Sequence, residues 1–192
     1  MVNNLELWDK KSDQELVAMT LKDKEAFVYL LKRYEDKLRR YIRRISNFSP
    51  EETEDVLQEV FLKVYKNLNG FDADLKFSSW IYRITHNQVI SSHRQHLSRP
   101  QSVEIDEQIV NKIKSEFDLQ ELVINSEQQN LTAGILEKMK DKYREILVLR
   151  FFEDKSYNEI SDILKRPGGT VATMLREAKK EFKKLWLENN NK

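Results

Sequence analysis

The sequence predicts an all-α fold of two small helical domains joined by an acidic linker, and three observations predict it. Apolar residues recur at spacings of three and four through most of the first hundred residues and again beyond about residue 130. Turn-forming residues are scarce, with 4 Gly and 3 Pro in 192 residues, too few for the tight turns of a sandwich or barrel. Between the periodic stretches the pattern degrades, and residues 98–127 carry 3 basic against 7 acidic side chains.

In chain order, Ser12 and Glu15 have the spacing of a capping box that opens a short helix. Phe27, Leu30, Leu31, Tyr34, Leu38, Tyr41, Ile42 and Ile45 then form one stripe of an amphipathic helix. It ends before Ser49-Pro50-Glu51-Glu52, where Ser49 caps, Pro50 takes the first helical position and Glu52 closes a second box. The helix that follows carries Val56, Leu57, Val60, Phe61, Val64 and Leu68 and stops near Asn69-Gly70. A loop from Phe71 to Phe77 leads to a fourth helix, expected to begin at Trp80 with Ser78 or Ser79 as its cap. Four helices make residues 1–97 one compact bundle.

Residues 98–127 read as a linker that extends when bound to something else. Pro100 breaks the chain there, and Val103, Ile105, Ile109, Ile113 and Phe117 are scattered without a helical period. A structureless run of about 30 residues is long for the inside of one domain, which favours two. Residues 128–192 form the second domain. Leu131, Ile135, Leu136, Met139 and Tyr143 restart the period, and Ile146, Leu147 and Leu149 continue it to Phe151-Phe152. Ser156 caps a short helix with Glu159 in the box position, with Tyr157, Ile160, Ile163 and Leu164 expected to face inward. Lys165-Arg166-Pro167-Gly168-Gly169 makes a turn, and the last helix runs from Thr170 with Val171, Leu175, Ala178, Phe182, Leu185 and Trp186 on one stripe. Short helix, Gly-containing turn and longer helix are the helix-turn-helix plan, although an ordinary helical hairpin has the same periodicity.

Composition excludes several classes of function. With no Cys there is no disulfide framework, thiolate metal site or Cys nucleophile, and four Gly leave no glycine-rich phosphate loop. His93 and His96 are three apart without a third ligand, so no metal and no cofactor is expected, and no catalytic constellation is present. No apolar run reaches the roughly 18 residues of a membrane span, and the polar N-terminus is unlike a signal peptide, so a cytoplasmic protein with no membrane partner is expected. The net charge of +1 conceals an asymmetry. Residues 142–192 carry 12 basic and 8 acidic side chains, a basic C-terminal part masked by the acidic linker.

Three runs carry chemistry. On the last helix Thr170, Ala172, Thr173, Arg176, Glu177, Lys180, Lys183 and Lys184 point away from the apolar stripe. Arg176 and Lys180 there could reach phosphates or bases, and Thr170 and Thr173 offer hydroxyls. In residues 71–94 the aromatics Phe71, Phe77, Trp80 and Tyr82 are interleaved with Arg83, His86, Asn87 and Arg94, a pattern suited to unstacked bases and a phosphate backbone, or else simply to a core. On the helix after Pro50, Asp55, Gln58, Glu59 and Leu62 share a face that fits a basic partner helix or plain solvation.

Taken together, Asp55-Val-Leu-Gln-Glu-Val-Phe-Leu-Lys-Val-Tyr, Phe77-Ser-Ser-Trp-Ile-Tyr-Arg-Ile-Thr-His-Asn and Ser156-Tyr-Asn-Glu-Ile-Ser-Asp-Ile-Leu followed by Pro167-Gly-Gly-Thr-Val resemble the extracytoplasmic-function branch of bacterial sigma factors. These are the promoter-specificity subunits of RNA polymerase, and the resemblance spans about residues 12–97 and 130–187. It implies a sigma region 2 bundle that grips the β′ clamp helices of core polymerase through Asp55, Gln58, Glu59 and Leu62. It also implies that Phe71, Asp72, Ala73, Lys76, Phe77, Trp80, Arg83, His86, Asn87 and Arg94 open the −10 element and hold a flipped base of the single-stranded non-template strand. The C-terminal part becomes a sigma region 4 helix-turn-helix, meeting the β flap and reading the −35 duplex through Arg166, Thr170, Ala172, Thr173, Arg176 and Lys180. The acidic linker resembles the connector that threads the polymerase cleft, and an anti-sigma factor is the implied inhibitor. One departure stands out. Where the family commonly places basic residues after Gly-Thr-Val, this chain has Ala172, Thr173 and Met174, with Glu177 beyond. A weak −35 contact follows, with a second DNA-targeting partner to hold region 4. The rival reading is a stand-alone helix-turn-helix regulator that does not engage polymerase.

Overall fold

The structure, a computed structural model, describes residues 10–98 and 126–190. Among these residues there are eight α-helices and no strand. Helices α1 (Asp13–Lys22), α2 (Phe27–Ile45), α3 (Pro50–Asn67) and α4 (Phe77–Ser98) form the N-terminal half. Helices α5 (Ser126–Lys138), α6 (Asp141–Phe151), α7 (Tyr157–Leu164) and α8 (Gly168–Asn190) form the C-terminal half. Of the expected linker only residues 98, 126 and 127 are among the described residues, and the last two already belong to α5.

All three capping boxes form, at Ser12/Glu15, Ser49/Glu52 and Ser156/Glu159. At the head of α3 the Glu52 carboxylate accepts from the Ser49 N–H at 2.7 Å, and the Ser49 hydroxyl accepts from the Glu52 N–H at 3.2 Å. Two backbone donors that helix geometry leaves without partners are thereby satisfied. The α2 stripe is buried at Leu30, Tyr34, Leu38, Tyr41, Ile42 and Ile45, and α3 adds Val56, Leu57, Val60 and Val64. Each buried Leu, Ile or Val among them contributes roughly 1.5–3 kcal/mol.

Several expectations are corrected. Helix α4 begins at Phe77 rather than Trp80: the Ser79 and Trp80 amides already donate to the Lys76 carbonyl, and the buried Ser79 hydroxyl has no hydrogen-bond partner. Helix α8 begins at Gly168 rather than Thr170, with the Val171 amide donating to the Pro167 carbonyl. The left-handed residue of the turn is Lys165, at φ 52°, and neither glycine takes positive φ. The stripe from Leu131 to Phe152 is two helices, because Lys140 is extended and starts α6 afresh. Tyr157 and Trp186 face solvent, at 44% and 43% exposure. Conversely Arg144 is buried, with its guanidinium donating to Asp141 at 2.6 Å and Asn47 at 3.3 Å.

The halves are packed together, α4 on α7 and α2 on α6, and their buried side chains join in one connected cluster. No helix among the described residues is long and apolar enough to cross a membrane.

Candidate nucleic-acid and partner interfaces

Burial of Val56, Leu57, Val60 and Val64 turns Asp55, Gln58, Glu59 and Leu62 outward on α3, and all four are exposed. Leu62 is 57% exposed, which leaves an apolar knob among polar neighbours. Glu59 is less free than its exposure suggests. The buried Gln88 amide of α4 donates to its carboxylate and accepts from the Lys63 ammonium, so a bridge across the helix pair fixes this edge of the face.

The second region begins with a tight loop in which the Asp72 carboxylate accepts from the Asp74 amide at 3.0 Å. That loop presents Asp72, Ala73 and Lys76 to solvent. Behind it Phe71, Phe77 and Trp80 form a mutual ring cluster with centroids 5.2–5.6 Å apart. Phe77 is 1% exposed and packs edge-on against Tyr34, while Trp80 is 8% exposed. In this arrangement both are core residues that brace the loop, the alternative that the sequence left open for these aromatics. Phe71 and Arg83 are half-buried, and Asn87 and Arg94 are exposed further along α4. His86 is largely covered, its Nε2 lying 3.2 Å from a Glu145 carboxylate oxygen of α6.

The third region is the outer side of α8. Arg166, Thr170, Ala172, Thr173, Arg176 and Lys180 are all exposed, while Val171, Leu175 and Ala178 are buried. Two features limit what this side offers DNA. The Thr173 hydroxyl donates to the Gly169 carbonyl of its own helix at 3.0 Å. Glu177 accepts from Arg176 at 3.3 Å and from Lys180 at 3.4 Å, so one carboxylate serves both cations.

No sequence signal marks the acidic patch of the C-terminal half, which meets α2, α4 and the loop before α4 rather than the α8 surface. Glu153 accepts from the Tyr82 hydroxyl at 2.5 Å and from Arg44 at 3.2 Å, and Glu159 lies 3.3 Å from Lys76. Burial pushes the Glu159 carboxyl up, but hydrogen bonds from Ser156 and the Lys76 charge outweigh it and hold the group below the usual range. Burial draws the Lys155 ammonium below the ordinary lysine range against the pull of Glu159 and Glu153. No periodicity signal marks these partners, which are 71 to 109 residues apart where they meet Glu153.

Comparison with known proteins identifies the family of both halves. Residues 30–99 match the family described as Sigma-70 region 2, and residues 132–182 match Sigma-70, region 4. The chain is 30% identical over 171 residues to the ECF RNA polymerase sigma factor SigW of Bacillus subtilis, covering 84% of this chain and 89% of that one. It is likewise 30% identical over 179 residues to the ECF RNA polymerase sigma-E factor of Escherichia coli K12, covering 89% and 92%. Among solved structures, CnrH in complex with the cytosolic domain of CnrY matches with a TM-score of 0.68 at 21% identity, covering 91% of this chain and 97% of that one. The sigma factor RpoE of Bartonella quintana, in complex with the anti-sigma factor NepR, matches with a TM-score of 0.64 at 18% identity, covering 83% and 95%. At those identities the two structures speak to the fold.

Proposed function

The chain belongs to the extracytoplasmic-function sigma factors of RNA polymerase, and from that premise we propose how its surfaces divide the work of promoter recognition. As a sigma factor it binds core polymerase and directs it to promoters. The α3 face of Asp55, Gln58, Glu59 and Leu62 is the site for the β′ clamp helices, with Leu62 as the apolar anchor and the carboxylates meeting basic side chains. The loop and helix from Phe71 to Arg94 take the melted −10 non-template strand. Asp72, Ala73 and Asn87 line the pocket for a flipped base, while Lys76, Arg83 and Arg94 follow the phosphates. Phe77 and Trp80 hold that loop in shape from beneath.

The outer side of α8 takes the −35 duplex through Arg166, Thr170, Arg176 and Lys180, the C-terminal half also meeting the β flap. Residues 1–97 and 128–192 serve as the two domains, and the acidic 98–127 segment suits a basic polymerase channel. An anti-sigma factor is the expected inhibitor, by analogy with the relatives solved in complex with one. With Glu177 drawing on both α8 cations, we expect the −35 contact to be weak and a second DNA-targeting partner to hold the C-terminal half in place.

The observation that carries this reading is the match to region 2 and region 4 in one chain, in that order. A stand-alone helix-turn-helix regulator would leave the α3 face and the residue 71–94 surface without a role. Transcription with purified chain, core polymerase and fragmented genomic DNA tests it: transcripts should start at sites that core polymerase alone does not use. Asn87→Ala should lower their yield at least tenfold while polymerase binding is kept. Unchanged yield would overturn the assignment of the −10 surface.

A further inference from the structure

The surface assigned to the −10 strand is in part already occupied, by the C-terminal half of the same chain. Glu153, in the connection between α6 and α7, is the hub, with its side chain 7% exposed and Arg44 opposite it at 16%. One carboxylate oxygen accepts from Arg44 at 3.2 Å and the other from the Tyr82 hydroxyl at 2.5 Å. The Lys155 ammonium lies 4.3 Å from the centre of the Tyr82 ring, and the Arg44 guanidinium lies 4.7 Å from that of Phe152. On either side Glu159 reaches Lys76 and Glu145 reaches His86. Three carboxylates of one half therefore meet Arg44, Lys76 and His86 of the other.

We propose that Glu145, Glu153 and Glu159 form an intramolecular latch that closes the free chain by occupying the cationic and aromatic surface of α2 and α4. A strand reaching Lys76 and His86 must displace Glu159 and Glu145, so the chain cannot be latched and hold the −10 strand along this path together. The proposal rests on the reading in which residues 71–94 take that strand. The buried pair dominates the latch: Lys76 is 68% exposed, so its bridge contributes little. Removing one partner of the Arg44–Glu153 pair takes away the opposite charge that offsets the burial of the other, which favours opening.

The absence of cysteine gives a direct test on the full chain. Glu145→Cys places a single thiol under the latch, and Lys165→Cys places one in solvent as the reference. We expect a thiol reagent to label the Glu145→Cys chain at least tenfold more slowly than the reference. Adding Arg44→Glu or Glu153→Arg should each speed labelling by about tenfold, and the two together should restore protection, a rescue that a merely misfolded variant would not show. In the cysteine-free chain, Glu153→Arg should raise transcript yield at limiting polymerase, and the double swap should return it to the parent level. Labelling of the Glu145→Cys chain as fast as the reference overturns the latch. Faster labelling with no gain in transcript overturns its inhibitory role. The thiol readout contains no nucleic acid, so failure of the −10 assignment, seen with Asn87→Ala, is distinguishable from failure of the latch.

Discussion

Three tyrosines of the N-terminal half share a buried setting and differ in one atom's surroundings, and removing that atom from each should give effects of different sign. Tyr34, Tyr41 and Tyr82 are 4%, 0% and 2% exposed. The Tyr34 hydroxyl donates to Asp13 at 2.5 Å and that of Tyr82 donates to Glu153 at 2.5 Å, whereas the buried Tyr41 hydroxyl has no hydrogen-bond partner among the described residues. Burial, and then the charges of Glu145 and Glu153, push the Tyr41 phenol well above its usual range, so it keeps a proton that it does not donate. An unmatched buried polar group costs about 1–3 kcal/mol, while a hydrogen bond to a charged acceptor contributes about 1.5–3 kcal/mol. Tyr41→Phe should therefore stabilise the chain by about 1 kcal/mol, after allowing for the small space the oxygen leaves. Tyr82→Phe should destabilise by about 2 kcal/mol, and Tyr34→Phe by somewhat less because Arg33 still pairs with Asp13 at 2.9 Å. Urea unfolding followed by far-ultraviolet circular dichroism, with tryptophan fluorescence as a second probe of two-state behaviour, measures all three. A loss in Tyr41→Phe as large as that in Tyr82→Phe would refute the reasoning, because it would mean the Tyr41 hydroxyl has a partner.

On the α3 face, Asp55→Ala and Leu62→Ala should each weaken binding to core polymerase about tenfold, on the order of 1.4 kcal/mol, with the melting temperature unchanged; competition against labelled chain for core polymerase measures it. For the α8 surface, neutralising three phosphates through Arg166, Arg176 and Lys180 would give a slope of log K against log salt near about −2.7, and the wild type should fall short of it. Glu177→Gln, by releasing Arg176 and Lys180, should steepen that slope in fluorescence-anisotropy titrations with −35 duplex. Ser156→Ala removes the cap of α7 and should cost about 1 kcal/mol in urea unfolding.

The helices and their buried faces were legible because burial along a helix is periodic, and the three capping boxes because their hydrogen bonds are local. Each Ser–x–x–Glu spacing became the bonded pair it implied. What failed locally was choosing between neighbours with similar chemistry. Ser78 and Ser79 look like caps, yet burial of Phe77 in the Phe71–Trp80 cluster draws α4 three residues earlier and leaves Ser79 inside the helix. Tyr157 and Trp186 sit on apolar stripes, but α7 and the end of α8 run past the edge of the core, so the period continues where nothing covers it.

What sequence reading could not reach was the pairing of charges across the molecule. Glu145 and Glu153 belong to no motif in the sequence, Glu159 reads only as the closing residue of a capping box, and Arg44 is one of several cations on α2. Their meaning comes from the packing of α6 and α7 onto α2 and α4. The same packing bears on the charge asymmetry of the sequence. The C-terminal half is basic in sum, yet it turns a carboxylate edge toward its neighbour and leaves Arg176, Lys180 and the rest of the α8 cations outward. Charge sorted in this way lets one domain oppose phosphate on one side and present cations to it on the other. A net charge of +1 therefore says little about DNA affinity, because the acidic edge is paired with the neighbouring half while the cations of α8 stand outward.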